Sequence, residues 1–190
     1  PRSSKIENKL IINDCGASYI FSDKKLNNNL PTLDKLQSVS NILLFDELEL
    51  YRQEILPPKK ENIIDDEDTA FILYTSGSTG KPKGAMIANL NIIHSCIHFE
   101  THFKLTNEDN CILVVPASHV TGLIAHIMTI LYVGGTLILM KSFNVKDFLN
   151  LAEKEKLSYL IMVPAMYNLC IYRENLSNYN LSNWRIGCFG

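Results

Sequence analysis

Strong net charge is missing from this sequence, and its absence argues against one large class of partner. The 190 residues carry 18 Lys and Arg against 20 Asp and Glu, for a formal net charge of −2. Domains that bind nucleic acid usually carry a basic excess or a basic stripe on one face. We therefore expect no nucleic-acid partner, and no block of like charges suggests a charged tail.

Cysteine pairs are also missing, although the sequence has five cysteines. None of them forms a CxxC pair and most lie in apolar runs; they are Cys15, Cys96, Cys111, Cys170 and Cys188. Zinc sites and disulfide frameworks depend on regular cysteine spacing. The pattern therefore predicts reduced, buried thiols in a cytoplasmic protein. Residues 1–5 lack both an initiator Met and a signal-peptide core, so we expect a piece of a longer chain.

Charged residues are absent between Asp109 and Lys141, and residues 122–140 are long enough to cross a bilayer. Two adjacent glycines, Gly134 and Gly135, interrupt this stretch, and histidines lie in or beside it. A buried helix, a turn and a strand explain the pattern better than a membrane span does. We therefore expect no transmembrane segment.

Apolar strands alternate with helices along the second half of the sequence. The predicted strands are 111–115, 136–140, 158–163 and 184–189, and the predicted helices are 121–133, 145–156 (with Asn144 as N-cap) and 165–173. The first third predicts a helix at 6–14, strands at 17–21 and 41–45, a loop at 24–31 and an exposed connector at 56–68. Apolar strands that alternate with helices predict an α/β fold with a largely parallel sheet covered by helices.

Residues 74–84 concentrate groups that suit phosphate. They follow an apolar run, residues 70–73, that predicts a buried strand, and they contain three glycines, four Ser or Thr hydroxyls and two lysines but no acidic residue. Glycine tolerates positive φ, so such a loop can turn its backbone N–H groups towards an anion. Hydroxyls and lysines add hydrogen-bond donors and positive charge. The loop therefore predicts a polyphosphate ligand.

The P-loop of nucleotide triphosphatases does not match this segment. That motif needs Gly, four residues, Gly-Lys and then Ser or Thr. Here Thr75 stands where the first glycine would be, and Pro82 follows Lys81 in place of a hydroxyl residue. A flexible Gly/Ser linker is the alternative interpretation, but lysines, a proline and a preceding buried strand are atypical of linkers.

A second polar segment, residues 116–122, follows directly after the predicted strand 111–115. Ligands of parallel α/β sheets bind beyond the carboxyl ends of the strands, which favours a binding role for His119. A helix N-terminus with Ser118 as its cap explains the same residues equally well.

Three histidines, His94, His98 and His102, recur every fourth residue in the helix predicted to follow the loop. This spacing places them on one slowly drifting stripe of the helix. A metal site is one interpretation, but the neighbouring residues do not complete a ligand set, and we favour a half-exposed polar face.

The loop closely resembles the signature of the adenylate-forming superfamily, whose members include acyl-CoA synthetases and the adenylation domains of nonribosomal peptide synthetases. That signature reads Tyr/Phe-Thr-Ser-Gly-Ser/Thr-Thr-Gly-x-Pro-Lys-Gly, and residues 74–84 match it at every position. Residues 116–122 are similar to the Pro-x-Phe-His-x-x-Gly of acyl-CoA synthetases, with His119 in place and Ser118 replacing the aromatic residue. The likeness continues through residues 134–189.

This resemblance implies a role for each matching residue. It assigns the β- and γ-phosphates of ATP to Thr75, Ser76, Gly77, Ser78, Thr79, Gly80 and Lys83. It also makes Thr75 a contact of the phosphate-bound Mg²⁺, and it places His119 in the catalytic site, where it lines the acyl pocket. Adenylation domains for α-amino acids carry Asp at the position of His119, so the resemblance implies a fatty or other acid without an α-ammonium group.

The resemblance also implies a fold and an activity. Residues 1–190 look like a central part of the large N-terminal, AMP-binding domain of an acetyl-CoA synthetase-like enzyme, with the adenine-binding segment and the C-terminal domain absent. Such enzymes use ATP to convert a carboxylic acid to an acyl-adenylate, and the thiol of coenzyme A then displaces AMP. Residues 1–190 alone are expected to be inactive. Two alternatives stay open: loading of a carrier-protein thiol, and a non-catalytic nucleotide-binding α/β module.

Overall fold

Two units make up the structure, a computed structural model that describes residues 3–45, 63–75, 77 and 80–189. The first unit spans Pro1–Ile87 and the second spans Ala88–Gly190. The first unit contains helix α1 (Lys5–Asp14), strands β1 (Tyr19–Ser22), β2 (Asn41–Leu44) and β3 (Thr69–Thr75), and 3₁₀ helices at Lys24–Asn29 and Leu33–Lys35. It also contains strand β4 (Lys83–Ala88) except for its last residue.

The first unit begins with α1, which starts where the sequence offers a cap. The Ser4 hydroxyl accepts a hydrogen bond from the backbone N–H of Glu7 at 3.2 Å, satisfying one donor of the first turn. Strands β1 and β2 pair in parallel. The predicted loop at 24–31 is wrong for its first six residues, which form a 3₁₀ helix. Asp23 caps that helix by accepting the N–H of Lys25 at 2.8 Å.

Strands β3 and β4 pair with each other on either side of the glycine-rich loop. The apolar run at residues 70–73 forms the centre of β3, but the predicted burial is wrong, because Ala70 and Ile72 are exposed and Phe71 and Leu73 are only partly buried. Strand β4 has no comparable signal in the sequence. Its pairing depends on the bare backbone at Gly84, where a Cβ would lie 2.6 Å from Cγ2 of Ile72. The predicted connector at 56–68 is described from residue 63 onwards, and those residues form no helix or strand before β3.

The second unit alternates helices and strands. Its elements are α2 (Asn89–Phe103), β5 (Asn110–Leu113), a π-helix (Thr121–Met128) continued by α3 (Thr129–Val133), β6 (Thr136–Leu139), α4 (Val145–Lys154), β7 (Tyr159–Ile161), α5 (Pro164–Arg173), a 3₁₀ turn (Leu176–Asn178) and β8 (Ile186–Cys188). Strands β5 and β6 pair in parallel, as do β7 and β8. The Ser158 N–H donates to the Asn110 carbonyl at 3.0 Å and links the two pairs. The predicted α/β fold with parallel strands is confirmed.

The charge-free stretch at residues 122–140 folds into the predicted helix, turn and strand. Its helix differs from the expectation in one respect, because the first eight residues wind as a π-helix. Among the described residues, no helix combines the length and the apolar composition that a membrane span needs. Asn144 caps α4 as predicted, accepting the N–H of Asp147 at 3.2 Å.

The core of the second unit lies on both faces of β7. Phe148 and Leu149 of α4 pack with Ile112 and Leu160, and all four are fully buried. Burying each such side chain contributes about 1.5–3 kcal/mol. Tyr159 belongs to a second buried cluster. Because side chains alternate along a strand, β7 is covered on both faces, as a parallel sheet requires.

An ion pair at the amino ends of β5 and β8 ties these strands together. The Nη2 atom of Arg185 lies 2.6 Å from Oδ2 of Asp109, and Nη1 donates to the carbonyl of Phe103 at 2.7 Å. The Ser158 hydroxyl donates to the same carboxylate at 2.5 Å. Burial by itself would raise the pKa of Asp109, but the hydrogen bonds from Arg185 and Ser158 outweigh burial and lower that pKa.

The cysteines are all free, and three of them are buried. Cys96, Cys111 and Cys170 lie in the interior, so the predicted burial is confirmed for these three, whereas Cys15 and Cys188 are partly exposed. Burial raises the pKa of each of the three interior thiols, which keeps them in the unreactive protonated form.

Candidate functional site

The predicted phosphate-binding loop turns on two glycines. Gly77 and Gly80 have φ angles of +61° and +77°, a region that glycine adopts without strain. The Gly80 N–H donates to the Gly77 carbonyl at 3.2 Å and closes a tight turn. A Cβ on Gly77 would collide with the carbonyl oxygen of Lys81, whereas a Cβ on Gly80 would meet open space. Positive φ at Gly77 and Gly80 is what the glycine-rich sequence predicts for this loop.

Thr75 and Lys83 stand at the two ends of this loop. Thr75 ends β3, Lys83 begins β4, and both residues are exposed. A hydroxyl and an ammonium group are thus accessible on either side of the glycine turn, which suits the binding of phosphate oxygens. Ser76, Ser78 and Thr79 lie outside the described residues, so their phosphate contacts stay predictions.

Helix α1 supports the start of the loop. The Tyr74 hydroxyl donates a hydrogen bond to the carboxylate of Asp14, the last residue of α1. Burial, together with the charge of Asp14, raises the pKa of Tyr74 to about 12, so the phenol keeps its proton at neutral pH. A cavity of about 160 Å³ lies beside this contact and is also lined by Lys81. Sequence reasoning missed Asp14, because the two residues are 60 positions apart.

His119 lies beyond the carboxyl end of β5, where the sequence order predicts it. Its Nδ1 atom accepts the backbone N–H of Thr121 at 3.3 Å and lies 3.3 Å from the Thr121 hydroxyl. With Nδ1 accepting, the ring proton belongs on Nε2. Ser118 does not cap the helix, which starts at Thr121 without a side-chain cap. Its first turn instead packs on Pro116, since a Cβ on Gly122 would collide with the Pro116 carbonyl oxygen.

Two mostly apolar cavities meet at Thr121 and Ile161. The first, about 190 Å³, is also lined by His119 and Val163. The second, about 370 Å³, is also lined by Phe99 of α2 and residues of the π-helix. Because Thr121 and Ile161 line both cavities, we call these two residues the shared wall. Apolar cavities with a few polar groups are typical of sites for small organic molecules.

A second histidine, His126, is fully buried and contacts both residues of the shared wall. Its Nδ1 atom lies 3.1 Å from the Thr121 carbonyl, and its Nε2 atom accepts the Ile161 backbone N–H at 3.1 Å. A carbonyl can only accept, so the ring proton belongs on Nδ1. Burial lowers the pKa of His126 to about 4, so the ring is neutral at pH 7. Sequence reasoning treated His126 only as an interruption of an apolar run.

The three histidines on α2 are exposed. The rings of His98 and His102 meet edge to face, with centroids 6.3 Å apart, and Nδ1 of His102 bonds to the His98 carbonyl at 2.9 Å. Within the ranges that the structure describes, no group of three or more His, Cys, Asp or Glu is arranged to hold a metal ion. The stripe is a polar helix face, more exposed than expected.

Comparison with known proteins adds to this geometry. The family model described as AMP-binding enzyme matches residues 1–190. The chain is similar to 4-coumarate–CoA ligase-like 6 of Arabidopsis thaliana, with 29% identity over 179 residues that cover 87% of this chain and 32% of the relative. It is also similar to a 2-succinylbenzoate–CoA ligase of Bacillus pumilus (strain SAFR-032), with 31% identity over 134 residues that cover 67% of this chain and 27% of the relative.

Solved structures share the fold. The inhibitor-bound N-terminal domain of FACL13 from Mycobacterium tuberculosis matches 100% of this chain with a TM-score of 0.87 at 22% identity, and the match covers 48% of that domain. The AMP complex of O-succinylbenzoate coenzyme A synthetase (MenE) from Bacillus subtilis matches with a TM-score of 0.80 at 22% identity, covering 100% of this chain and 46% of that one. The chain thus spans between about a quarter and a third of the length of these curated relatives and just under half of these structures.

Proposed function

The chain belongs to the AMP-binding enzyme family, and we propose that the protein containing it activates a carboxylic acid with ATP and transfers the acyl group to coenzyme A. A carboxylate oxygen attacks the α-phosphorus, which forms an acyl-adenylate and releases pyrophosphate. The coenzyme A thiol then loses its proton and attacks the acyl carbon, and AMP leaves. The observation that carries the proposal is the pair of positive-φ glycines, Gly77 and Gly80, between the exposed hydroxyl of Thr75 and the exposed ammonium group of Lys83.

In this proposal the loop holds the β- and γ-phosphates. The residues assigned to them are Thr75, Ser76, Gly77, Ser78, Thr79, Gly80 and Lys83. Backbone N–H groups and hydroxyls donate to the phosphate oxygens, and the Lys83 ammonium stabilises the charge that grows on the departing pyrophosphate. Mg²⁺ bound to the phosphates would neutralise further charge, and the Thr75 hydroxyl oxygen is a ligand type that this ion accepts.

We assign the acid to the two cavities beside His119. Their lining is mostly apolar, and the described residues that form it include no carboxylate that could pair with a substrate ammonium group. A buried ammonium without such a partner is strongly destabilised. The proposed substrate is therefore a fatty acid or another acid without an α-ammonium group, with His119 lining its pocket.

The domain to which the chain belongs and its location in the cell are also proposals. A solved N-terminal domain matches the whole chain, which supports residues 1–190 as part of the large N-terminal domain of such an enzyme. The free cysteines support a cytoplasmic location, where thiols stay reduced.

The full-length protein tests this proposal through the release of pyrophosphate and AMP. Fatty, aryl and amino acids are supplied with ATP and Mg²⁺, with and without coenzyme A. We expect pyrophosphate release that requires an acid, and acyl-CoA and AMP once coenzyme A is added. A preference for α-amino acids would contradict the substrate class, and transfer only to a carrier protein would contradict the acceptor. Absence of acid-dependent release with the whole panel would refute the activity.

A further inference from the structure

His126 links a backbone carbonyl of its own helix to a backbone N–H of the sheet. It lies on the π-helix with 0% of its surface exposed. Its Nδ1–H donates to the Thr121 carbonyl five residues earlier, and its Nε2 accepts the N–H of Ile161 in β7, 35 residues later. One neutral ring therefore connects a helix to a strand through a donor and an acceptor.

The Ile161 N–H needs this acceptor because of its place in the sheet. The N–H of the next residue, Met162, bonds to the Cys188 carbonyl at the end of β8, at 3.1 Å. Successive N–H groups of a strand point to opposite edges, so that of Ile161 points away from β8. His126 meets it there and takes the place of a neighbouring strand's carbonyl. This N–H is partly buried, and leaving such a group without a partner is costly, so the contact constrains the position of Ile161.

We propose that His126 is a positioning residue of the substrate pocket, because it clamps Thr121 to Ile161 and so fixes the shared wall of the two cavities. The clamp also reaches His119, since the Thr121 N–H donates to Nδ1 of that ring. This inference rests on the proposed function, which places the acid in these cavities. It predicts that His126, without touching the acid, determines how well the acid binds.

Two substitutions separate this role from simple stability. Gln carries a donor and an acceptor about as far apart as the two ring nitrogens, so His126→Gln can make both contacts. Asn has a shorter side chain, so His126→Asn can reach the Thr121 carbonyl but not the Ile161 N–H. Leu149→Ala supplies a matched control, because Leu149 is fully buried on α4 and lines neither cavity.

Steady-state kinetics of the full-length protein test the clamp. We expect His126→Asn to raise the KM for the preferred acid at least tenfold while the KM for ATP stays within twofold of wild type. His126→Gln should keep the acid KM within threefold, and Leu149→Ala should leave both KM values unchanged despite its lower stability. An unchanged acid KM in His126→Asn, or an equal rise in Leu149→Ala, would overturn the proposal.

A second measurement tests the contact between His126 and Ile161 independently of catalysis. Amide hydrogen exchange of Ile161 should be at least tenfold faster in His126→Asn than in wild type, and close to wild type in His126→Gln. Unchanged protection in His126→Asn would overturn the clamp whether or not the protein is active. The two proposals can also fail separately. If the wild-type protein releases no pyrophosphate with any acid of the panel, the proposed function and the pocket role are both wrong. The contact between His126 and Ile161 would still be supported if the exchange pattern is as expected.

Discussion

Protonation of His126 should destabilise the second unit in mild acid. Burial lowers the pKa of this ring from 6.5 to about 4, and in the unfolded chain the ring returns to 6.5. The unfolded state then binds more protons than the folded state between these two values. The stabilisation from the neutral ring is complete above pH 6.5 and is lost as the pH falls towards 4. Each pKa unit is worth about 1.4 kcal/mol, so the loss amounts to about 3 kcal/mol.

The difference between wild type and His126→Gln isolates this effect, because Gln offers a donor and an acceptor for the same two contacts but does not titrate. Urea-dependent hydrogen exchange, read on peptides from the second unit at pH 4, 5, 6, 7 and 8, gives the free energy of unfolding of that unit. We expect the difference between the two proteins to be constant at pH 7–8. Between pH 7 and pH 4, the free energy of unfolding of wild type should fall by about 3 kcal/mol more than that of His126→Gln.

Neighbouring groups do not produce this dependence. Tyr159 is the titratable side chain in ring contact with His126, at 6.2 Å between centroids, and burial raises its pKa, so it stays neutral throughout. Asp109 has a lowered pKa and is common to both proteins. A difference that stays flat from pH 8 to pH 4 would refute the reasoning, and a difference of opposite sign would mean that the folded state prefers the charged ring.

Three further predictions concern the loop and the ion pair. Lys83→Ala should slow acid-dependent pyrophosphate release on the order of 10²-fold and leave the acid KM unchanged, measured in the full-length protein. Gly77→Ala should abolish most of this pyrophosphate release, whereas Gly80→Ala should retain more of it, because a Cβ at position 77 collides with backbone and one at position 80 does not. Equal losses in the two variants would contradict the packing of this turn. Asp109→Asn should lower the free energy of unfolding by about 2–3 kcal/mol in urea titrations, less than a fully buried pair because Arg185 is 40% exposed.

Matched substitutions show whether these effects are specific. Lys25 is an exposed lysine on a 3₁₀ helix of the same unit, so Lys25→Ala should leave pyrophosphate release unchanged if the Lys83 effect depends on its place in the loop. Ser177 lies on an exposed 3₁₀ turn of the second unit, and its hydrogen bonds are to Asn175. Ser177→Ala should therefore cost far less stability than Asp109→Asn. Similar losses in either pair would mean that the substitutions act through general destabilisation.

Local patterns predict much of this fold because they depend on neighbours in sequence. The apolar runs at 111–115 and 136–140 predict β5 and β6, and Asn144 predicts the start of α4. The glycines of the loop predict the positive φ angles seen at Gly77 and Gly80. Each of these features is a property of a few consecutive residues, so the sequence carries its signal directly.

Features that depend on distant partners escape this reasoning. The π-helix contains the same apolar residues as an α-helix would, and its winding accompanies the contact between His126 and Ile161. Strand β4 forms because Gly84 leaves room for Ile72. Asp14 becomes part of the loop's support only through Tyr74. No periodicity within one segment encodes contacts of this kind.

The ion pair between Asp109 and Arg185 has a consequence for the order in which a growing chain can fold. Its partners are 76 residues apart, so a ribosome that adds about 5–20 residues per second makes the second one roughly 4–15 s after the first. Throughout that interval β5 lacks the guanidinium that compensates its buried carboxylate. The contact between the amino ends of β5 and β8 can therefore form only late in the synthesis of the second unit.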